Sequence, residues 1–135
     1  MTNFKQLLIK SFMLCSVFLF IACSNDDDNN TRPSIYGEWK YIAYVEDGEY
    51  FEDVDECENE IISINEDNTG SILIEDCDFG NQTADFTWEN ISGNKYNLAA
   101  LGATTTIFIT FPSGNNIMHI TVEGDETYSD VYQRQ

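Results

Sequence analysis

The sequence predicts an all-β fold, a single antiparallel up-and-down β-barrel of about eight strands. Three observations lead to this prediction. Apolar and polar residues alternate with a period of two almost everywhere after residue 34, which is the pattern of half-buried strands. Turn residues, such as Asp47 with Gly48 and Gly124 with Asp125, separate these segments at hairpin spacing. No segment after residue 30 has the 3.6-residue period of an amphipathic helix.

A long meander of strands must protect its edges, and closure into a barrel removes them. A two-sheet sandwich is the alternative, but sandwiches usually need longer crossovers than the hairpin-length gaps found here. Residues 50–54 fit either a strand or an irregular loop. The predicted strands cover residues 35–45, 60–65, 71–75, 84–89, 95–99, 104–111, 116–122 and 127–133.

The first 22 residues resemble a bacterial lipoprotein signal peptide rather than part of the fold. Two lysines precede an apolar stretch, residues 12–22, which is shorter than the roughly 18 residues needed to span a bilayer. An uncleaved membrane anchor is the alternative interpretation. Cleavage before Cys23 would make it the first mature residue and the carrier of a lipid. Cys15 is a poorer candidate because a bulky leucine precedes it.

Residues 23–34 therefore form the lipidated cysteine and an acidic tether, which is too polar to bury anything and is predicted to be disordered. The expected location is the outer membrane, either at its periplasmic face or at the cell surface. The acidic run directly after Cys23 resembles the signal that exports some lipoproteins to the outer face. The membrane is thus an expected partner through the N-terminal lipid.

The mature chain is strongly acidic. Its 113 residues carry 24 acidic side chains against four basic ones, a net charge of −20. Nucleic acid is excluded as a partner, because binding phosphates requires a basic patch. Simple solvated acidity, cation binding and a basic protein partner all fit this charge.

Two cysteines remain for structure, Cys57 and Cys77. Two β-branched strands and a central turn lie between them, and the midpoint of the pair falls inside that turn. The cysteines therefore face each other across the open end of a hairpin, which is the placement that a disulfide requires. A redox or metal-binding pair is the alternative, although a zinc site needs closer spacing and more ligands.

The first predicted strand contains Gly37, one intervening residue and Trp39. This motif, with the cysteine pair, a tryptophan strand and the final strand, resembles the small bacterial lipocalin-like lipoproteins over residues 35–135. The resemblance implies a lipocalin-like barrel whose tryptophan plugs one end, with Arg134 stacked over Trp39 in a cation–π contact. An eight-stranded barrel holds either packed side chains or one small ligand.

Catalytic chemistry is poorly supported, and neither an enzyme nor a cofactor is predicted. His119 is the only histidine, and it alternates with Met118, Ile120 and Val122, which we assign to the core face. The histidine is therefore expected to point outward.

Acidic residues on both sides of the predicted disulfide are weak calcium candidates, although no calcium-loop pattern is complete. The candidates are Asp53, Asp55, Asp76 and Asp78.

The sequence thus predicts a lipid-anchored binding protein outside the cytoplasm, with no enzymatic activity and a small apolar ligand in the barrel. The alternative is a protein-interaction module with a filled barrel, such as an inhibitor or an accessory part of a cell-surface complex. A large apolar cavity would favour the ligand. A packed interior with an exposed apolar patch would favour the protein partner.

Overall fold

The computed structural model describes residues 34–135. Cys15, Cys23 and the predicted signal peptide and most of the tether lie outside this range. The described part consists of one antiparallel sheet of nine strands. The strands are β1 (Gly37–Glu46), β2 (Glu49–Glu52), β3 (Glu58–Ile64), β4 (Thr69–Asp76), β5 (Gln82–Ser92), β6 (Lys95–Ala100), β7 (Ala103–Thr110), β8 (Ile117–Val122) and β9 (Tyr128–Arg134).

Pairing of β1 with β9 closes the sheet into a barrel of eight strands, β1 and β3 to β9, with β2 as one extra strand. The connections run up and down between neighbours, so the predicted all-β barrel is confirmed. Between residues 34 and 135 no helix is long and apolar enough to cross a membrane.

Strand β1 pairs with three other strands. One of its edges pairs with β9 over residues 39–46, with a bulge between Tyr41 and Ala43. Its other edge pairs with β3 over residues 37–40 and with β2 over residues 43–46. The segment 50–54, which fitted a strand or a loop, therefore begins as a short edge strand and ends as a loop.

Alternate residues of the strands point inward and form the core, as the period-two pattern predicted. Trp39 and Met118 are completely buried. Two positions differ from the prediction. Val122 was assigned to the core face but is exposed, because it ends β8 where the barrel opens to solvent, and Ala84, which alternates with Phe86 and Trp88, is exposed near the start of β5. The core cluster consists of Ile35, Trp39, Ile62, Ile64, Phe86, Trp88, Ile107, Ile109, Met118, Ile120 and Tyr132.

Trp39 and Arg134 close one end of the barrel, which we call the closed end. The two residues are cross-strand partners, and the guanidinium carbon of Arg134 lies 4.1 Å from the centroid of the Trp39 ring. The contact implied by the lipocalin resemblance is therefore present. The indole N–H of Trp39 donates to the carbonyl of Ile35 at 2.8 Å, so the buried ring has its polar atom satisfied.

The guanidinium of Arg134 ties three chain segments together at the closed end. It donates to the carbonyl oxygens of Ser34 at 2.6 Å, Tyr36 at 2.7 Å and Asn115 at 3.1 Å. Gly37 lies directly beneath it with φ of +119°, and a Cβ atom at that position would lie 3.0 Å from Nη1 of Arg134. A glycine is therefore needed there for both its backbone angle and its size.

Replacement of Arg134 by methionine should destabilise the barrel by about 2 kcal/mol, because it removes three charge-assisted hydrogen bonds and the contact with Trp39. Thermal unfolding measures this loss, and a red shift of tryptophan fluorescence reports water reaching Trp39. Lys40→Met is the matched control, since it removes one positive charge from the neighbouring strand. Equal stability of the two variants would contradict the closing role of Arg134.

Candidate functional site

The candidate site is the end of the barrel opposite Arg134, which we call the open end. Up-and-down topology brings alternate connections of the eight barrel strands to the same end. The short strand β2 between β1 and β3 adds one more there, so five connections meet at the open end. These connections are residues 47–48, 53–57, 77–81, 101–102 and 123–127.

The predicted disulfide between Cys57 and Cys77 is confirmed, and it lies at the open end. The two Cα atoms are 5.1 Å apart. Each cysteine lies next to a member of the outermost cross-strand pair of β3 and β4, which is Glu58 with Asp76. The amide of Cys77 also donates to the carbonyl of Cys57 at 3.2 Å. The bond therefore joins two connections at the point where the hairpin leaves the barrel wall.

Acidic residues are concentrated at the open end. Of the 21 acidic residues between 34 and 135, eight lie in residues 46–58, three in 75–78 and three in 123–126, and these segments contain no basic residue. The three basic residues of the described range are Lys40, Lys95 and Arg134, and each is closer along its strand to the closed end. The barrel therefore has a negative end, to which a positively charged partner is attracted.

The inner wall near the open end carries hydrogen-bonded tyrosines. Tyr132 donates to Oε1 of Glu60 at 2.6 Å, and Tyr41 donates to Oδ2 of Asp53 at 3.2 Å. Burial, together with the adjacent carboxylates, raises the pKa of both tyrosines far above the ordinary value. Both phenols therefore remain neutral donors.

Asp130 is a half-buried carboxyl on the same wall, opposite Ile120 on β8. Burial raises the pKa of Asp130, and the negative charge of Glu60 raises it further, whereas a hydrogen bond from Tyr128 opposes the shift.

A cleft of about 160 Å³, which we call the acidic cleft, opens between Tyr41 on β1 and the chain that leaves β2 and enters β3. It exists because β3 pairs with β1 only from Ile61 onward, whereas residues 58–60 pair with β4 alone. The cleft is lined by Tyr41, Asp53, Asp55, Glu58, Asn59, Glu60 and Ile74.

Three aromatic rings stack beside this cleft and hold β2 against the barrel. Tyr44 stacks on Phe51 with ring centroids 5.1 Å apart, and on Tyr128 at 5.5 Å. These contacts join β2, β1 and β9, so β2 is held in a defined position although all four of its residues are exposed.

Large apolar side chains are exposed mainly at the open end. Seven of the nine that are exposed among residues 34–135 lie there, and we call this set the apolar rim. Isolated exposed apolar residues are common, but their concentration at one end of a barrel marks an interaction surface. The rim consists of Tyr50, Phe51, Val54, Ile74, Phe79, Leu101 and Val122.

Leu101 is the most exposed member of the rim, at 98%. It occupies the two-residue turn between β6 and β7 with φ of +52°, followed by Gly102 with φ of +81°. Asparagine or glycine is favoured in such a turn, and a leucine with positive φ is strained. Neither turn preference nor core packing explains this leucine.

The barrel interior is filled. The cavity enclosed by the core has a volume of about 20 Å³ and an apolar lining, which is room for about one water molecule. Binding sites for small molecules usually enclose roughly 300 to 1,000 Å³. The small apolar ligand stays a prediction, and the packed interior favours the alternative of a protein partner.

The predicted calcium candidates do not converge on one point. Asp53 accepts from Tyr41, Asp55 from the amide of Cys57, and Asp76 from the amides of Asp78 and Phe79. In the range 34–135 no group of three or more His, Cys, Asp or Glu residues is arranged to hold a metal ion. Asp55 and Asp76 therefore make local hydrogen bonds at the connections, whereas Asp53 is bonded to the neighbouring strand β1.

His119 points away from the core, since it alternates along β8 with Met118 and Ile120, which are members of the core cluster. Burial lowers its pKa below the ordinary value.

The expectation that the protein is not an enzyme stays a prediction, as does the lipid at Cys23.

Sequence reasoning missed the apolar rim, and it left β2 as one of two alternatives, a strand or a loop over residues 50–54. Phe79 and Leu101 lie in turns, where sequence patterns predict polar residues. The sequence signal that could have found them is a large apolar residue beside a glycine in the turn between two strands.

Comparison of the chain with family models, with curated proteins and with solved structures finds no match in any of the three.

Removal of the disulfide, as in the double variant Cys57→Ser and Cys77→Ser, should lower the free energy of unfolding by about 3 kcal/mol. The reason is that the bond closes a loop of 20 residues in the unfolded chain. Denaturant unfolding with and without a reducing agent measures the effect. The reducing agent should destabilise the natural protein and leave the double variant unchanged. A natural protein insensitive to reduction would contradict this role.

Asp130→Asn should raise the melting temperature near neutral pH by roughly 2–4 °C, a small effect because the group is half exposed. A carboxyl with a raised pKa stabilises the fold when protonated, below its ordinary pKa, and this contribution is lost as the pH rises through the higher folded pKa. The gain should therefore be present at about pH 8 and absent at about pH 3. Asp85→Asn, an exposed carboxylate on β5, is the control and should show no such difference.

Proposed function

We propose that this protein is a lipid-anchored interaction module outside the cytoplasm, without enzymatic activity, which binds a protein partner at its open end. The observation that carries the proposal is the contrast between a filled interior and an exposed apolar rim. A barrel without interior space offers its ligands only an outer surface, and this surface is apolar at one end.

The anchoring part of the proposal rests on the sequence. The apolar stretch that ends at Cys23, followed by an acidic run, supports attachment through lipid at the outer membrane. The Cys57–Cys77 disulfide is consistent with an oxidising compartment. Membrane attachment would orient the module so that a partner in the same envelope or on the cell surface meets it at high local concentration.

The composition of the open end suits a protein partner. Apolar side chains surrounded by charged ones resemble the core and polar edge of a protein interface. Two of the rim residues, Tyr50 and Phe51, are aromatic side chains of an exposed strand, a type enriched at binding hot spots. An anionic membrane surface is disfavoured, because the acidic residues of the same end would repel it.

Crosslinking inside the native cell tests the proposal. A photo-crosslinking amino acid at Phe79, which is 81% exposed at the open end, should yield an adduct with one discrete protein. The same amino acid at Ile91, which is exposed at the end of β5 near the closed end, should yield none. Mass spectrometry identifies the adduct.

Leu101→Asn separates binding from stability in the same experiment. The substitution should leave the melting temperature equal or higher, because asparagine suits the positive φ, and it should reduce the Phe79 adduct several-fold. The proposal fails if no rim position yields an adduct while native mass spectrometry of the protein from its host finds a small apolar molecule bound.

A further inference from the structure

The edge of β2 is the part of the open end with unused backbone hydrogen-bonding groups. Strand β2 pairs with β1 on one side, and within residues 34–135 no strand pairs with its other side. All four of its residues are exposed. An exposed edge strand is a template on which another extended chain can pair.

The pairing register identifies which groups face outward. The amide of Asp53 donates to the carbonyl of Ile42 on β1 at 3.2 Å. Alternate residues of an antiparallel strand direct their backbone groups to the same side. The backbone N–H and C=O groups of Phe51 therefore also point toward β1. The N–H and C=O groups of Tyr50 and Glu52 then point away from β1, which leaves four hydrogen-bonding groups for a partner.

The side chains around this edge are negative and aromatic. On one face of β2 lie Glu49, Phe51 and Asp53, and on the other lie Tyr50 and Glu52. Asp53 also lines the acidic cleft. A partner strand would therefore match this edge with basic residues opposite the carboxylates and apolar or aromatic residues opposite the two rings.

Charge selects among the occupants. A second copy of this chain would bring the same glutamates to the edge, and like charges opposite one another are destabilising. The chain's own N-terminal segment carries three consecutive aspartates, residues 26–28, and meets the same repulsion. The remaining occupant is a basic and apolar segment of another protein.

We infer that the open end binds its protein partner by β-strand addition, with an extended segment that carries both basic and apolar residues pairing along β2. This inference rests on the proposed function and names the class of partner and the mode of binding. Backbone pairing supplies affinity in such complexes, and the side chains supply specificity. The stacked rings of Phe51, Tyr44 and Tyr128 hold the edge in place before the partner arrives.

The test uses the full chain in detergent micelles and a synthetic peptide with blocked ends, Lys-Lys-Val-Tyr-Lys, written to oppose Asp53 through Glu49 in antiparallel register. Its dissociation constant should be on the order of 1 mM, a typical value for so short a contact. Nuclear magnetic resonance should show shifts and slowed solvent exchange at the amides of Tyr50 and Glu52, and an all-glutamate analogue should not bind.

Methylation of backbone nitrogens in the peptide separates strand pairing from charge attraction. Methyl groups on the second and fourth residues, whose N–H groups would face β2, should weaken binding by at least about tenfold, the loss of one to two net hydrogen bonds. A methyl group on the third residue, whose N–H would face away, should have little effect. Equal affinity of the two methylated peptides would overturn the inference, since charge alone would then explain binding.

Variants of the protein provide the complementary test. Tyr50→Pro removes one outward N–H group without affecting the pairing with β1, and it should abolish the resonance shifts, whereas Tyr50→Val should retain them. Glu49→Gln with Glu52→Gln should weaken binding, whereas Glu38→Gln with Glu66→Gln should not. A partner adduct at Phe79 without peptide shifts on β2 would refute strand addition and leave the proposed function intact.

Discussion

The structure depends on the pairing of β1 with β9, because this pairing turns an open meander into a barrel. This pairing joins the last strand of the fold to the first one. Arg134 near the end of β9 stacks on Trp39 near the start of β1. One side chain thereby satisfies three carbonyl groups and covers the largest buried ring. Closure also pairs β9 with one edge of β1, and an open meander would leave both of these edges exposed to aggregation.

Closure at one end makes the two ends of the barrel chemically different. The closed end contains the tryptophan, the arginine and close backbone contacts, so little of it is available to a ligand. The open end contains five of the eight connections between the strands, the disulfide and two thirds of the acidic residues of the described range. The additional strand β2 forms there because β3 pairs with only four residues of β1. The other half of the same β1 edge pairs with β2.

The sequence predicted the parts of the structure that follow from local periodicity. Alternation of Ala84, Phe86 and Trp88 with polar residues identified β5, and the symmetric placement of Cys57 and Cys77 about a turn identified their disulfide. The pairing of Trp39 with Arg134 followed only from a family resemblance, because nothing local relates residues 95 positions apart. The exposure of Val122 was not predictable, since it depends on where the barrel wall ends. The choice between strand and loop at residues 50–54 stayed open, because β2 forms on the part of the β1 edge that β3 leaves unpaired.

Exposed apolar side chains favour self-association of the protein, whereas the acidic residues disfavour it. These opposite effects give a physical reason for the two to occur together at the open end. An apolar rim on an uncharged domain would pair with a second copy or aggregate. With 21 acidic residues against Lys40, Lys95 and Arg134 between residues 34 and 135, copies repel one another, so the rim remains accessible. The same charges attract a basic partner and increase its rate of association. Under the proposed function, the acidic residues select basic partners at a surface whose apolar side chains alone would discriminate little.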